Sequence, residues 1–160
     1  MALAFPAVTI FCIGNAAADT DTAGLLAPLK VFASAFNQAD RTFPTKAYTD
    51  DATTIDEFSP YSWRGPKAAR IWYAATTGGN TDADYQQFRA SHQVLTLDKP
   101  LTVRQSGKHA FVVIATKLTF QAKGTTHLQH LDWTVSEIET AHGWRIAAQA
   151  WALIDDVPVK

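Results

Sequence analysis

From Ser91 onward the chain changes its period. Four long segments alternate apolar and polar residues: His92 to Val103, Ala110 to Gln121, Thr126 to Glu139 and Trp144 to Ile154. A period of two places successive side chains on opposite faces, so each segment reads as a half-buried strand. The breaks are short. Gln105 to Lys108, Ala122 to Gly124 and Thr140 to Gly143 each carry a glycine, as hairpin turns do. Asp98, Lys99 and Pro100 interrupt the first segment, and a bulge or bend is expected there. Four strands joined by tight turns predict one antiparallel sheet with an apolar face that needs a cover.

The front half supplies that cover. Leu25, Leu29, Phe32 and Phe36 recur at helical spacing and form one apolar stripe. Asp19, Thr20 or Asp21 is the expected cap. Pro28 lies within the stripe and suits a first turn, and the helix is expected to end near Ala39 and Asp40. Phe43 to Tyr48 reads as a second short helix, Ala52 to Phe58 as a strand, and Ser59 to Ser62 as its turn. A further helix starts after Gly65 and Pro66, carries Ala68, Ala69, Ile71, Trp72 and Ala75, and stops at Gly78, Gly79 and Asn80. Thr81 to Ala90 is polar and reads as a loop with a helical turn. Helices first and antiparallel strands after is an α+β order.

Length and composition set outer bounds. At 160 residues the chain suits one domain. Its net charge is −1, with both signs interspersed, and no basic stripe is present to release counterions from a nucleic acid. Leu3 to Ile13 is a short apolar run followed by Ala16, Ala17 and Ala18, which resembles the hydrophobic and cleavage regions of a secretory signal. The run lacks a preceding Lys or Arg and is too short to span a bilayer as a helix. The expectation is a cleaved segment over 1–18 and a single domain over 19–160. The product would be periplasmic or secreted, with no membrane partner after signal removal. An upstream start codon or an ordinary N-terminal segment is the alternative, and the protein is then cytoplasmic. Cys12 is the single cysteine; cleavage after Ala18 would remove it, and with it any disulfide or thiol chemistry.

Two phrases about ninety residues apart complete the pattern. Asp50, Asp51 and Ala52 lead to Asp56 and then to Trp63, Arg64 and Gly65; Gly143, Trp144, Arg145 and Ile146 lead to Gln149 and Trp151. With Phe36 to Asp40 at the end of the first helix, this set resembles the nuclear transport factor 2-like superfamily over roughly Leu25 to Leu153. That superfamily includes ketosteroid isomerase, scytalone dehydratase and SnoaL-type cyclases. The resemblance implies a cystatin-like α+β roll: N-terminal helices packed on a strongly curved, mostly antiparallel sheet, forming a cone with one pocket. It implies little about activity, because that scaffold hosts enzymes, binding proteins and assembly modules.

Three groups of residues are candidates for chemistry. Asp56 matches the position of the isomerase general base by resemblance, and a partly buried carboxylate can abstract a proton. A turn-initiating Asp before Phe58 and Pro60 is the structural alternative. The isomerase's hydrogen-bonding tyrosine falls at Phe32, which has no hydroxyl, and its late-strand acid falls at Asp132 or Thr134. His130 and Asp132 share a strand face and would suit an imidazole oriented by a carboxylate. An exposed or dimer-forming strand face explains them equally. The third group is Tyr48, Tyr61, Trp63, Trp72, Trp133, Gln149 and Trp151, apolar walls and polar points for a small ligand, or simply core.

The five histidines are scattered, and His127 and His130 fall on opposite faces of one strand, so no metal site is expected. No phosphate loop or nucleophile elbow occurs, and no cofactor is expected. The expected function is an exported, SnoaL-like pocket protein acting by acid–base chemistry on a small apolar or aromatic molecule. A non-catalytic ligand-binding or dimerising domain is the alternative, and a homodimer is expected in either case.

Overall fold

A computed structural model describes residues 22–38, 42–79 and 91–159. The segment 1–18, the Asp19 to Asp21 caps, Ala39, Asp40 and the Thr81 to Ala90 stretch lie outside the described residues. Helix α1 (Thr22–Phe36) buries Leu25, Leu29, Phe32 and Phe36, the stripe expected from spacing. Pro28 sits inside this helix rather than at its first turn, and it is buried.

Strand β1 (Tyr48–Ile55) begins where a short helix was expected, and that expectation is corrected. Residues 45–47 form a turn instead. The Ile146 N–H donates to Ala47 O at 2.8 Å, so the backbone there already belongs to the edge of the sheet. Strand β2 (Ser62–Trp63) folds back on β1, pairing Trp63 with Thr54. Helix α2 (Ala68–Ala74) follows and runs into a π-helical turn over Ala75–Gly79. The long strands are β3 (Ser91–Ser106), β4 (His109–Ala122), β5 (Thr125–Thr140) and β6 (Gly143–Val159).

The six strands form one open sheet in the order β2-β1-β6-β5-β4-β3. All neighbours are antiparallel except β1 and β6, whose ends are joined through the whole intervening chain. Lys123 and Gly124 both take positive φ, 50° and 79°, in the tight β4–β5 turn. That is the geometry whose twist matches paired strands, and Gly124 accepts it without cost.

Register shifts bend the sheet. In β3 they fall between Leu97 and Pro100 and between Pro100 and Thr102, where the Asp98–Pro100 break was expected. In β6 they fall at Ile154, opposite His130/Leu131, and at Ala147, opposite Ser136/Glu137. Bulges raise local twist and curl a sheet. The concave face carries α1 and α2, and the core lies between them: Leu25, Leu29, Phe32, Trp72, Tyr73, Ile114, Trp133, Val135 and Ile146 are buried together. The architecture is therefore helices packed on a curved, unclosed, mostly antiparallel sheet.

Candidate functional site

Burial along β5 decides which face is which. Gln129, Leu131, Trp133, Val135 and Glu137 are buried, while their alternate neighbours are half-buried or exposed. The odd positions therefore face the helices. At the wide end, α1 and α2 do not fill the space against the sheet, and a cavity of about 400 Å³ remains. Phe32 and Phe36 enter its wall from α1, Trp72 from α2, Leu118, Leu131 and Trp151 from the sheet, and Asp56, Phe58 and Tyr61 from the β1–β2 connection. Gln93, Gln129, Glu57 and Thr76 add polar groups.

Asp56 is the most constrained of these. It follows β1 directly, so the strand aims it at the end of the sheet. The Trp72 indole Nε1–H donates to its Oδ2 at 2.7 Å, and the Glu57 backbone N–H donates to its Oδ1 at 2.7 Å. Burial pushes its carboxyl up from 3.8 to about 6; the two hydrogen bonds oppose that shift without cancelling it. Glu57, beside it, is also raised, by burial and by the nearby negative charge of Asp156, while the Leu153 N–H works the other way. Trp151 extends the aromatic wall, stacked on Trp133 at 4.5 Å between ring centres and on Trp72 at 6.2 Å.

Four of the residues singled out from sequence thus meet at one cavity: Asp56, Tyr61, Trp72 and Trp151. Tyr48, Trp133 and Gln149 do not line it. They form a buried polar knot, in which the Tyr48 hydroxyl and the Trp133 indole both donate to Gln149 Oε1, at 2.9 and 3.0 Å. Gln149 Nε2 in turn donates to Thr54 Oγ1 at 3.1 Å. The knot ties β1, β5 and β6 together beneath the aromatic wall, and burial holds the Tyr48 hydroxyl pKa well above its ordinary value. Trp63 is buried against Phe58 with ring centres 5.0 Å apart. It backs the wall without entering it.

His130 and Asp132 take even positions on β5, on the sheet face turned away from the helices and cavity. The period that pairs them also sets them opposite the buried residues 129, 131 and 133. His130 Nδ1 meets Asp155 Oδ1 at 2.6 Å, so its carboxylate partner comes from β6 rather than being Asp132. What sequence reasoning passed over lies on the inner face. His127 Nδ1 is 2.9 Å from Asp156 Oδ1, and Gln129 Nε2 donates to Asp156 Oδ2 at 3.0 Å. The signal was present in the shared parity of 127 and 129. The cross-strand partner, 29 residues later, was not visible without the β5–β6 register.

Among the described residues, no group of three or more His, Cys, Asp and Glu side chains is placed to hold a metal ion. No described helix is long and apolar enough to cross a membrane.

No protein-family model matches the sequence, and no curated protein matches it. Solved structures do. A protein from Kribbella flavida superposes with a TM-score of 0.69 at 15% identity, over 86% of this chain and 93% of that one. A type 3 hexachlorocyclohexane dehydrochlorinase from Novosphingobium barchaimii gives 0.63 at 12% identity, over 89% and 94%. A nuclear transport factor 2-like protein with a cystatin-like fold, from Novosphingobium aromaticivorans, gives 0.64 at 14%, over 84% and 82%. At these identities the likeness is one of backbone, and it agrees with the helices and curved sheet described above: the chain has the nuclear transport factor 2-like, cystatin-like fold.

Proposed function

We propose that this protein is a small-molecule pocket protein whose cavity carries out cofactor-independent acid–base chemistry on a small apolar or aromatic substrate. The observation that carries this reading is Asp56: a carboxyl in an aromatic cavity wall, pinned on both oxygens and raised to about 6. A base with that pKa is ionised at neutral pH and is more basic than an ordinary aspartate. It would take a proton from carbon or oxygen of a bound substrate, as isomerases, cyclases and dehydratases of this fold type require. The dehydrochlorinase among the similar structures is named for hexachlorocyclohexane, a compact apolar molecule, which supports the substrate class.

The direct test is deuterium exchange into a panel of aryl ketones, followed by NMR with purified protein. Exchange should fall by about 10²-fold or more in Asp56→Asn, within the range general-base catalysis supplies. Equal exchange by the variant removes the mechanism. One observation favours the non-catalytic alternative: Phe32, in the wall facing this site, offers no hydroxyl to stabilise an oxyanion. Aryl ketones that bind without exchange would select that reading.

The same proposal includes export and self-association. Residues 1–18 act as a cleaved signal peptide, and N-terminal mass of protein from its native host should begin after Ala18. The outer sheet face pairs two copies, and a monomeric mass at micromolar concentration would contradict that.

A further inference from the structure

His127 has two direct constraints and one unused atom. Its ring lies flat on Phe120, with centres 5.2 Å apart and planes 9° from parallel. Its Nδ1 is held by Asp156, whose other oxygen is held by Gln129. A carboxylate only accepts hydrogen bonds, so in the neutral ring this pairing puts the proton on Nδ1 and leaves Nε2 with its lone pair. Nε2 makes no hydrogen bond among the described residues, and the side chain keeps 28% of its exposure. An imidazole locked by a stack and a carboxylate, with its far nitrogen open, is the arrangement that orients a base or a hydrogen-bonding contact.

Position gives the arrangement a use. In the β4–β5 ladder, Leu118 pairs with Gln129 and Phe120 with His127. The first pair lines the cavity, and the second is the next inward-facing row. Asp156 stands at the rim between two wall residues, bonded to Gln129 and close enough to Glu57 to raise its carboxyl. His127 therefore stands just beyond the wall that carries Asp56, on the same concave face.

We propose that His127, oriented by Asp156 and Phe120, is the polar contact at the cavity mouth, and that its Nε2 hydrogen-bonds the oxygen or nitrogen at the outer end of an aromatic ligand. The inference rests on reading the cavity as a small-molecule site. It narrows the ligand class to molecules with an aromatic body and a hydrogen-bonding heteroatom at one end.

His130 supplies an internal control. It too has its Nδ1 on a carboxylate, but on the outer face of the same strand and with 39% exposure. The experiment is acylation of the full-length protein by diethyl pyrocarbonate, mapped by peptide mass spectrometry, with and without 4-phenylphenol. Binding of the probe is followed separately by tryptophan emission, since Trp72 and Trp151 line the cavity. With 4-phenylphenol at ten times its Kd, acylation of His127 should slow about tenfold, as the open fraction falls, while His130 is unchanged. Binding without slowing at His127 overturns this proposal and leaves the cavity reading intact. A probe that does not bind removes the cavity reading and this proposal with it. A second arm uses His127→Phe, which keeps a ring on Phe120. The preference for 4-phenylphenol over biphenyl should drop about fivefold, the worth of one hydrogen bond. An unchanged preference in that variant also overturns the proposal.

Discussion

Asp56 and Glu137 are both raised carboxyls, and the difference between them separates a candidate site from a scaffold. Asp56 has partners on both oxygens and faces a cavity. Glu137 is fully buried at the other end of β5, both of its oxygens lack hydrogen-bond partners among the described residues, and burial pushes it up to about 8. For Asp56, NMR titration of the side-chain carboxyl should give a midpoint of about 6. Trp72→Phe should move that midpoint upward, because the indole N–H favours the ionised form. Activity by a carboxylate base falls as pH drops through that midpoint.

For Glu137 the sign concerns stability. A carboxyl raised on folding imposes no penalty below its unfolded value, 4.5. The penalty grows as pH rises towards about 8 and is constant above it. Thermal melts from pH 5 to 9 should show wild type losing stability relative to Glu137→Gln, by about 4 kcal/mol across that range. At this scale Asp56 was legible, because strand end, acid and turn stood together in the sequence. Glu137 was not, since alternation alone leaves open which parity is buried.

Between elements, a few side chains fix how helices meet strands. Asn37, one residue past α1, donates to Leu95 O at 2.9 Å and accepts from Leu95 N at 2.8 Å. It matches both backbone groups of β3 and seats Phe36 and Leu95 against the cavity. Asn37→Ala should cost about 1–2 kcal/mol in denaturant unfolding, since two hydrogen bonds are lost from a partly buried strand. Gln149→Leu should cost more, about 2–4 kcal/mol, because Tyr48 and Trp133 would both lose their acceptor inside the core.

The elements themselves were readable to different degrees. Periodicity revealed α1 and the four long strands, because each has one wet face and one dry face. The stretch before Tyr48 read as helix for want of any local sign that β6 would claim its backbone. Likewise Gln149 read as a ligand contact, since a lone amide on a strand gives no hint that a tyrosine 101 residues away will cap it.

At the scale of the molecule, the order of helices and hairpins was enough for the fold class, because only a covered, curved sheet buries all those stripes at once. The location of the hollow was legible only in part. It depends on bulges at Leu97 to Thr102 in β3 and at Ile154 in β6, and their effect on curvature is a sum over strands rather than a motif. Strand alternation, by contrast, is what turns His127, and not His130, inward.

The aromatic column running from Trp133 through Trp151 to Trp72, with Phe32 beside it, has an optical consequence. Indoles stacked this closely share their excited states, so the protein should show a bisignate near-ultraviolet dichroism band. Because the middle ring forms part of the cavity wall, an occupant that tilts it would change that band's amplitude, giving the molecule a spectroscopic reporter of its own with no dye attached.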